Sequence, residues 1–197
     1  MTPRQTEKIK NKITKIRQAL SADKRRWGGV YDDSHGLRYV PPGLFLQLQD
    51  YNGAIKYFKW FDKNFPDDSC FPIFLFEWTV ALFKSDDIKG AEKKALRTFF
   101  SNTYLFDKFL NKQFLRFDKY EGSNWEQSSL ADSFEYSKDQ TDLLDFADWI
   151  SKFLTSDKFY NIANEFVDIE RKLKTEPTGQ TRNALVKRRY SLLDNYS

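Results

Sequence analysis

The only histidine lies in a short polar segment with the residue types for metal binding or acid–base chemistry. His35 follows Asp32, Asp33 and Ser34 and precedes Gly36. Carboxylates beside a histidine can ligate a metal ion or orient the imidazole as a general base. A run of Asp, Ser and Gly is also typical of a turn, because these residues satisfy or relax the local backbone. With one histidine and no second ligand cluster, the turn is favoured.

The single cysteine, Cys70, is the other candidate nucleophile. It precedes an apolar segment that begins at Phe71, and a helix N-terminus can lower the pKa of a thiol. A nucleophilic cysteine also needs a base, and only His35 could supply an imidazole. We therefore expect a buried structural cysteine. One cysteine also excludes an internal disulfide and a cysteine-based metal cluster.

Other catalytic patterns are absent from the sequence. Residues 121–148 are acidic but lack the Glu-x-x-His spacing of a di-iron site. The chain has no phosphate-binding glycine loop and no Gly-x-Ser-x-Gly elbow. We therefore expect no catalytic residues, no metal and no cofactor, and a binding protein rather than an enzyme.

The N-terminal segment has the signals of a helix start. Thr2 is a capping residue, Pro3 suits the first helical position, and Gln5 completes a capping box. Apolar residues then recur at spacings of four, three and four, which places them on one helical face. These residues are Ile9, Ile13, Ile16 and Leu20. Trp27 and the two glycines after it end this helix. Residues 30–36 are expected to form a loop or the irregular start of the next helix.

The rest of the chain alternates helical patterns with polar turns, and no segment shows the period-two alternation of a strand. Between Leu37 and Leu48, the pair Pro41-Pro42 either starts or kinks a helix, because proline removes a backbone donor. Residues 118–137 are expected to be irregular. The other predicted helices are Tyr51 to Phe65, Pro72 to about Lys84, Ile88 to Ser101, Tyr104 to about Phe117, Ser137 to about Leu154, Ser156 or Asp157 to about Lys174, and a last helix after Gly179.

Two segments repeat one pattern. In 44–58 and in 79–95, an apolar helix ends in a polar turn carrying Asp, and a small residue follows on the next helix. The two small residues, Ala54 and Ala91, are 37 positions apart. A small residue lets two helix backbones approach while large apolar residues fill the flanks.

These segments resemble the tetratricopeptide-repeat family. The first copy matches its second half through Gln49-Asp50-Tyr51-Asn52-Gly53-Ala54-Ile55, Phe58, Phe61 and Pro66. The second copy keeps Trp78, Thr79, Leu82, Ala91, Ala95 and Thr98 near the expected places. The first copy departs from the family at Arg38, Pro41 and Pro42, and the spacing of 37 exceeds the usual 34.

The resemblance covers residues 37–103 and implies an all-α fold. Antiparallel helical hairpins would stack in a right-handed superhelix with divergent capping helices. We expect one helical domain over 1–197, with a basic capping helix and loop in 1–36, two hairpins in 37–103, and divergent helices in 104–197.

The resemblance also implies a function: the concave face, lined by the first helix of each hairpin, would grip a protein or peptide partner. The corresponding positions in this chain are Tyr39, Gln47, Phe76, Val80 and Lys84. The sequence thus predicts a protein-binding scaffold or adaptor of unknown partner.

Charge distribution leaves two alternatives open. Lys and Arg outnumber acids nine to two in 1–26 and seven to one in 171–189, whereas 121–148 carries eight acids and one base. Basic terminal helices indicate a possible nucleic-acid surface. Its candidate residues are Lys8, Lys12, Lys15, Arg25, Arg26, Lys187, Arg188 and Arg189. The acidic stretch would suit a small neutralising partner of a toxin or effector. Solvated helix faces are the ordinary explanation of both patterns.

The sequence predicts a cytoplasmic protein. Residues 1–12 are polar and basic without the apolar core of a signal peptide, and no later stretch has the roughly 20 apolar residues of a membrane span. A single cysteine agrees with this location. The first helix has a narrow aliphatic stripe without Trp or Phe, which favours packing over insertion at a membrane surface.

Overall fold

The computed structural model describes residues 1–194, and the regular secondary structure in that range is entirely helical. The α-helices are α1 Pro3–Arg26, α2 Pro41–Gln47, α3 Tyr51–Asn64, α4 Pro72–Phe83, α5 Ile88–Ser101, α6 Leu105–Phe109, α7 Leu144–Leu154, α8 Asp157–Leu173 and α9 Gln180–Ser191. Short 3-10 turns occupy Leu37–Tyr39, Asn124–Glu126, Ser128–Ser133 and Thr141–Leu143. The predicted all-α class is confirmed.

Helix α1 begins as its sequence predicts. The Gln5 backbone N–H donates to Thr2 Oγ1 at 3.3 Å, and Gln5 Oε1 accepts from the Thr2 backbone N–H at 2.8 Å. The apolar stripe is buried through Ile13, Ile16 and Leu20, with the Ile9 side chain partly covered. This stripe attaches α1 to α2 and to the turn at Leu37–Tyr39.

Two helical hairpins, α2–α3 and α4–α5, end their first helices in the same way. Gln49 and Asp86 each adopt the left-handed conformation, with φ of 53° and 60°. Backbone hydrogen bonds close each end, from Asp50 N to Phe45 O and from Asp87 N to Leu82 O, both at 3.0 Å. These are Schellman-type ends with a side chain at the position that glycine usually occupies.

The second helix of each hairpin also starts in the same way. Asp50 Oδ1 accepts from the Gly53 N–H, and Asp87 Oδ1 accepts from the Gly90 N–H, each at 2.9 Å. The cap satisfies one of the backbone donors that every helix N-terminus leaves unpaired. The internal repeat seen in the sequence is therefore a repeat of backbone geometry.

The hairpins pack on one another around α4. Helix α4 contacts α5 most extensively and also packs against α3 and α2. Ala54 and Ala91 are fully buried, and the Phe58 and Trp78 rings stack with centroids 4.4 Å apart. A hydrogen bond of 3.3 Å between the Thr79 and Thr98 hydroxyls also joins α4 to α5. These contacts bury α4 on nearly every side.

Two predicted helix boundaries are wrong. Helix α6 ends at Phe109 rather than near Phe117, because Asn111 takes a left-handed φ of 53° and Asp107 Oδ2 accepts from the Leu115 N–H at 2.8 Å. Helix α7 begins at Leu144 rather than Ser137. The pattern at Ser137 makes a local turn that is followed by the 3-10 turn Thr141–Leu143.

The C-terminal helices agree with prediction. Ser156 caps α8, its hydroxyl accepting from the Phe159 N–H at 3.2 Å. Helix α8 packs against α5, α7 and α9, so it joins the last helix to the second hairpin. Among residues 1–194, no helix combines the length and the apolar character needed to cross a bilayer.

Candidate functional site

The segment that contains His35 forms a structural turn. The Asp33 carboxylate accepts from the backbone N–H groups of Leu37 and Arg38, both at 2.8 Å. Arg38 bridges this turn to the loop before α4, through Asp33 at 3.1 Å and Asp68 at 2.9 Å. His35 itself is exposed. In the described part of the chain, no group of three or more His, Cys, Asp or Glu side chains is placed to hold a metal ion.

Tyr39, the first predicted groove position, belongs to this same network. Its hydroxyl donates to the Asp68 carboxylate at 2.7 Å, and its ring packs edge-on against Phe74 with centroids 5.3 Å apart. Burial and the neighbouring Asp68 charge raise the pKa of the Tyr39 hydroxyl. Tyr39 therefore anchors the start of α2 to the loop before α4.

Cys70 is a buried structural residue, as the sequence predicts. Its side chain is almost fully enclosed, and its backbone N–H donates to Asp68 Oδ1 at 2.7 Å. Burial raises the pKa of the thiol to about 11, so the thiol form dominates at neutral pH. This environment is the opposite of the one that activates a cysteine nucleophile.

The chain itself covers two of the other predicted groove positions. Phe76 and Val80 are completely buried in α4, which excludes both from an open groove. The Phe76 ring contacts Phe134 at a centroid distance of 4.8 Å, Tyr136 at 5.2 Å and Phe109 at 5.2 Å. The face that would be concave in the repeat family is thus filled by residues 134–136 and by α6.

The last two predicted groove positions lie near the hairpin turns. Gln47 is exposed. Lys84 pairs with Asp145 of α7 and lines a depression of about 330 Å³ between the two turns, together with Tyr51. Because Phe76 and Val80 lie in the core, the five predicted positions do not form one surface.

Residues 134–136, which cover the face of α4 that contains Phe76, are called the covering segment below. A buried acid of α4 anchors this segment. Glu77 accepts a hydrogen bond of 2.7 Å from the Tyr136 hydroxyl, and no Lys or Arg among the described residues pairs with it. Burial raises the pKa of the Glu77 carboxyl to about 8, against the opposing effect of its hydrogen bonds with Tyr136 and the Gly43 backbone. A Cβ at Gly43 would lie 2.7 Å from Glu77 Oε1, so this glycine permits the close approach of α2.

The two basic ends of the chain attach to different parts of the fold. Helix α1 packs on α2, whereas α9 packs on α8. Arg188 pairs with Glu165, and Arg189 pairs with Glu170 at 3.0 Å, which neutralises two of the predicted basic residues. The others are exposed: Lys8, Lys12, Lys15, Arg25, Arg26 and Lys187.

Several residues of the acidic stretch 121–148 form ion pairs or hydrogen bonds with other residues of the chain. Lys119 pairs with Glu121 at 2.9 Å, and Asn111 donates to Asp139 at 2.8 Å. Asp145 pairs with Lys84, as described above. These contacts reduce the acidic surface that a toxin or effector could meet.

An open cleft lies between α5, α8 and α9. It has a volume of about 490 Å³ and extends to the loop before α4 and to the turn at Asn124–Glu126. We refer to it as the α5–α9 cleft. Its cations are Lys93 and Arg97 from α5 and Arg189 from α9.

Aromatic side chains form much of its wall. Phe100 of α5 stacks on Phe166 of α8 with centroids 4.2 Å apart. Trp125 is 39% exposed and Tyr190 is 70% exposed, so two large rings face solvent at the cleft. The Asn102 amide fixes the turn that carries Trp125, donating to the Trp125 carbonyl at 2.7 Å.

The charged side chains that line the cleft differ in whether they have a partner within residues 1–194. Glu170 is buried and paired with Arg189. The Glu126 carboxylate folds back on the Ser123 backbone N–H at 3.2 Å. Within residues 1–194, Lys93 and Arg97 make no ion pair with an acid. Two free cations beside exposed aromatic rings therefore distinguish this surface.

This cleft is not among the sites predicted from the sequence. Lys93, Arg97 and Phe100 follow at spacings of four and three on a predicted helix, so their common face was a detectable signal. The opposite wall was not detectable, because Trp125 and Tyr190 are separated in sequence and meet α5 only through the tertiary fold.

Comparison of the chain with protein-family models, curated protein sequences and solved structures gave no significant match. The resemblance to tetratricopeptide repeats therefore rests on the residues quoted above.

Proposed function

We propose that this chain is a protein-binding scaffold built on tetratricopeptide-like hairpins, and that its partner binds in the α5–α9 cleft. The observation that carries the proposal is that Lys93 and Arg97, which make no ion pair with an acid within residues 1–194, lie beside the exposed Trp125 and Tyr190. Aromatic and arginine side chains commonly supply most of the energy of a protein interface.

The chemistry of the cleft favours a peptide segment that carries a carboxylate next to an apolar or aromatic side chain. The guanidinium of Arg97 suits a bidentate carboxylate, and the Lys93 ammonium adds a second attractive charge. The rings of Phe100, Trp125 and Tyr190 would cover the apolar part of the segment.

Nucleic acid is the second candidate ligand, since aromatic rings stack on bases and cations attract phosphates. Two observations disfavour it. Glu170, Glu126 and Asp194 also line the cleft, and a strand with a phosphate at every nucleotide would bring charges beside these acids, whereas a peptide needs only one carboxylate next to Lys93 and Arg97. The basic residues of α1 and α9 attach to different parts of the fold, whereas strong binding needs several phosphate contacts together.

Affinity capture with variants of the cleft residues and with a control variant tests the proposal. The tagged wild-type chain, Arg97→Glu, Trp125→Ala and the control Lys12→Glu are each used to capture proteins from the native lysate, with and without nuclease. We expect one stoichiometric protein that resists nuclease, that is lost with Arg97→Glu and Trp125→Ala, and that is retained with Lys12→Glu. Lys12 is a suitable control because its side chain is exposed on α1, away from the residues that line the cleft. Loss on nuclease treatment, or with Lys12→Glu, would instead support nucleic-acid binding through the basic ends.

A peptide selection tests the same cleft without a lysate. A random display library is selected on the wild-type chain and on the double variant Lys93→Glu/Arg97→Glu. We expect acidic peptides with an aromatic residue from the wild type and basic peptides from the variant, because the double change reverses the free charges of the cleft. Equal selection of acidic peptides by both proteins would contradict the proposed site.

A further inference from the structure

Helix α1 carries a row of cations on a side that the fold leaves uncovered. At 3.6 residues per turn, five basic residues fall within a sector of about 80° around the helix axis. They are Arg4, Lys8, Lys12, Lys15 and Arg26, and each is exposed. The apolar stripe that packs on the fold is centred about 110° away around the same helix. We refer to this row as the α1 basic face.

The charge of the α1 basic face is not neutralised by ion pairs. Within residues 1–194, none of its five cations pairs with an acid. The exposed acid of α1, Glu7, lies about 100° from the centre of the face. The other acid, Asp23, is half-buried and accepts from the Asp32 N–H at 2.8 Å. The face therefore presents a continuous positive charge to solvent.

This arrangement does not stabilise the helix. Arg4, Lys8 and Lys12 follow at intervals of four, where like charges repel one another. The first turn of α1 contains no acid and holds Arg4 near the positive end of the helix dipole. A face that is only solvated gains stability from Glu placed four residues before Lys. The pattern therefore indicates a face that meets an anionic partner.

We propose that the α1 basic face binds the phosphate backbone of double-stranded nucleic acid. Arg4 and Lys15 are about 17 Å apart along the helix axis. One strand of a duplex rises about 3.4 Å per nucleotide, so this length faces about five phosphates. Each of the four cations from Arg4 to Lys15 can thus contact a phosphate. Such binding is independent of sequence, with a Kd on the order of 10⁻⁴ to 10⁻⁶ M at physiological salt.

The composition of α1 favours a duplex over other polyanions. The helix contains no Phe, Tyr or Trp, so it offers no ring on which unpaired bases could stack. Insertion at a membrane surface needs an apolar helix face, but the aliphatic stripe of α1 is buried against the fold. None of the five cations lines the α5–α9 cleft, so the site does not depend on the proposed function.

Fluorescence anisotropy with a labelled duplex tests this surface. The full chain is titrated into duplex DNA and into duplex RNA of the same sequence over a series of salt concentrations. We expect the logarithm of the binding constant for DNA to fall against the logarithm of salt with a slope of about −3 to −4, because four phosphate contacts each contribute about −0.9. Binding of either duplex supports the proposal, and the comparison shows which one is preferred.

Two double variants of equal net charge separate this face from the charge of the whole chain. Lys8→Gln/Lys12→Gln removes two cations of the face and should make the slope shallower by about 2. Lys10→Gln/Arg17→Gln removes two exposed cations from the opposite side of α1 and should leave the slope unchanged. Gln is a good helix former, so far-ultraviolet circular dichroism should show that both variants keep the fold.

Several results would overturn the proposal. A folded wild-type chain that binds neither duplex at low salt would exclude the site. An equal change of slope in both double variants would show attraction by net charge rather than binding by this face. Loss of duplex binding with Arg97→Gln would place the nucleic acid in the α5–α9 cleft. Binding to phosphatidylserine vesicles without binding to a duplex would assign the face to a membrane surface.

Discussion

Replacement of the buried acid Glu77 by Gln should change how stability depends on pH. Glu77 is enclosed between α2, α4 and residues 134–136, where it accepts from the Tyr136 hydroxyl and meets no cation among the described residues. Glu77→Gln keeps the size of the side chain and an acceptor oxygen for Tyr136 but cannot ionise. The variant therefore removes one titration from the folded state while leaving the packing in place.

The magnitude follows from proton linkage. The pKa of Glu77 is about 8 in the folded chain and 4.5 as the ordinary value. Between these values the folded state holds a proton that the unfolded state has lost, so the free energy of unfolding falls as pH rises. The slope approaches about 1.4 kcal/mol per pH unit. Between pH 5 and pH 8 the wild type should lose about 3 to 4 kcal/mol relative to Glu77→Gln.

Urea denaturation followed by tryptophan fluorescence at a series of pH values measures this difference. Subtraction of the two proteins cancels the titration of every other group. Glu135→Gln is the matched control, because Glu135 lies next to Tyr136 but is exposed. We expect the control to follow the wild type. If the wild type and Glu77→Gln lose the same free energy from pH 5 to pH 8, Glu77 is not a buried neutral acid and our account of the covering segment is wrong.

Three further substitutions test the packing. Gln49→Gly should raise the free energy of unfolding by about 0.5 to 1 kcal/mol in urea denaturation, because Gln49 has a φ of 53° that glycine adopts without strain; a loss of stability would contradict the assigned turn. Ala91→Leu should lower it by about 1 to 3 kcal/mol, since Ala91 is fully buried between helices; an unchanged midpoint would show room that the structure lacks. Asp68→Asn should cost about 1.5 to 3 kcal/mol by weakening the contact with Arg38. It should also lower the pKa of Tyr39 in an ultraviolet titration, because the Asp68 charge helps to raise it; an unmoved Tyr39 titration would exclude that coupling.

The hairpins could be predicted because their signals are local. The caps at Asp50 and Asp87 depend on a side chain and a backbone N–H three residues away. The fully buried Ala54 and Ala91 each lie four positions after the capping aspartate of their helix. Short-range capping and helical periodicity thus fixed α3 and α5 to within one residue of prediction.

The boundaries of α6 and α7 could not be predicted because other contacts override the pattern. Apolar residues continue at helical spacing beyond Phe109, but the chain leaves the helix at Asn111, and Asp107 then accepts from the Leu115 N–H. Ser137 has the sequence of a helix cap but makes only a local turn. Helical periodicity reports which residues are apolar, and it does not report where the chain changes direction.

The predicted groove is wrong because residues distant in the sequence cover it in the folded chain. The same observation bears on the proposed location of the partner site. Phe134 and Tyr136 cover the α4 face that contains Phe76, although they lie more than fifty residues later in the chain. A partner that used this face would first have to displace both rings. Exposing two aromatic side chains costs about 3 to 6 kcal/mol, which lowers affinity by a factor of about 10² to 10⁴. The α5–α9 cleft is already open and holds Lys93 and Arg97 without acidic partners in residues 1–194. Under the proposed function, a partner of equal contact energy would therefore bind in this cleft in preference to the covered face of α4.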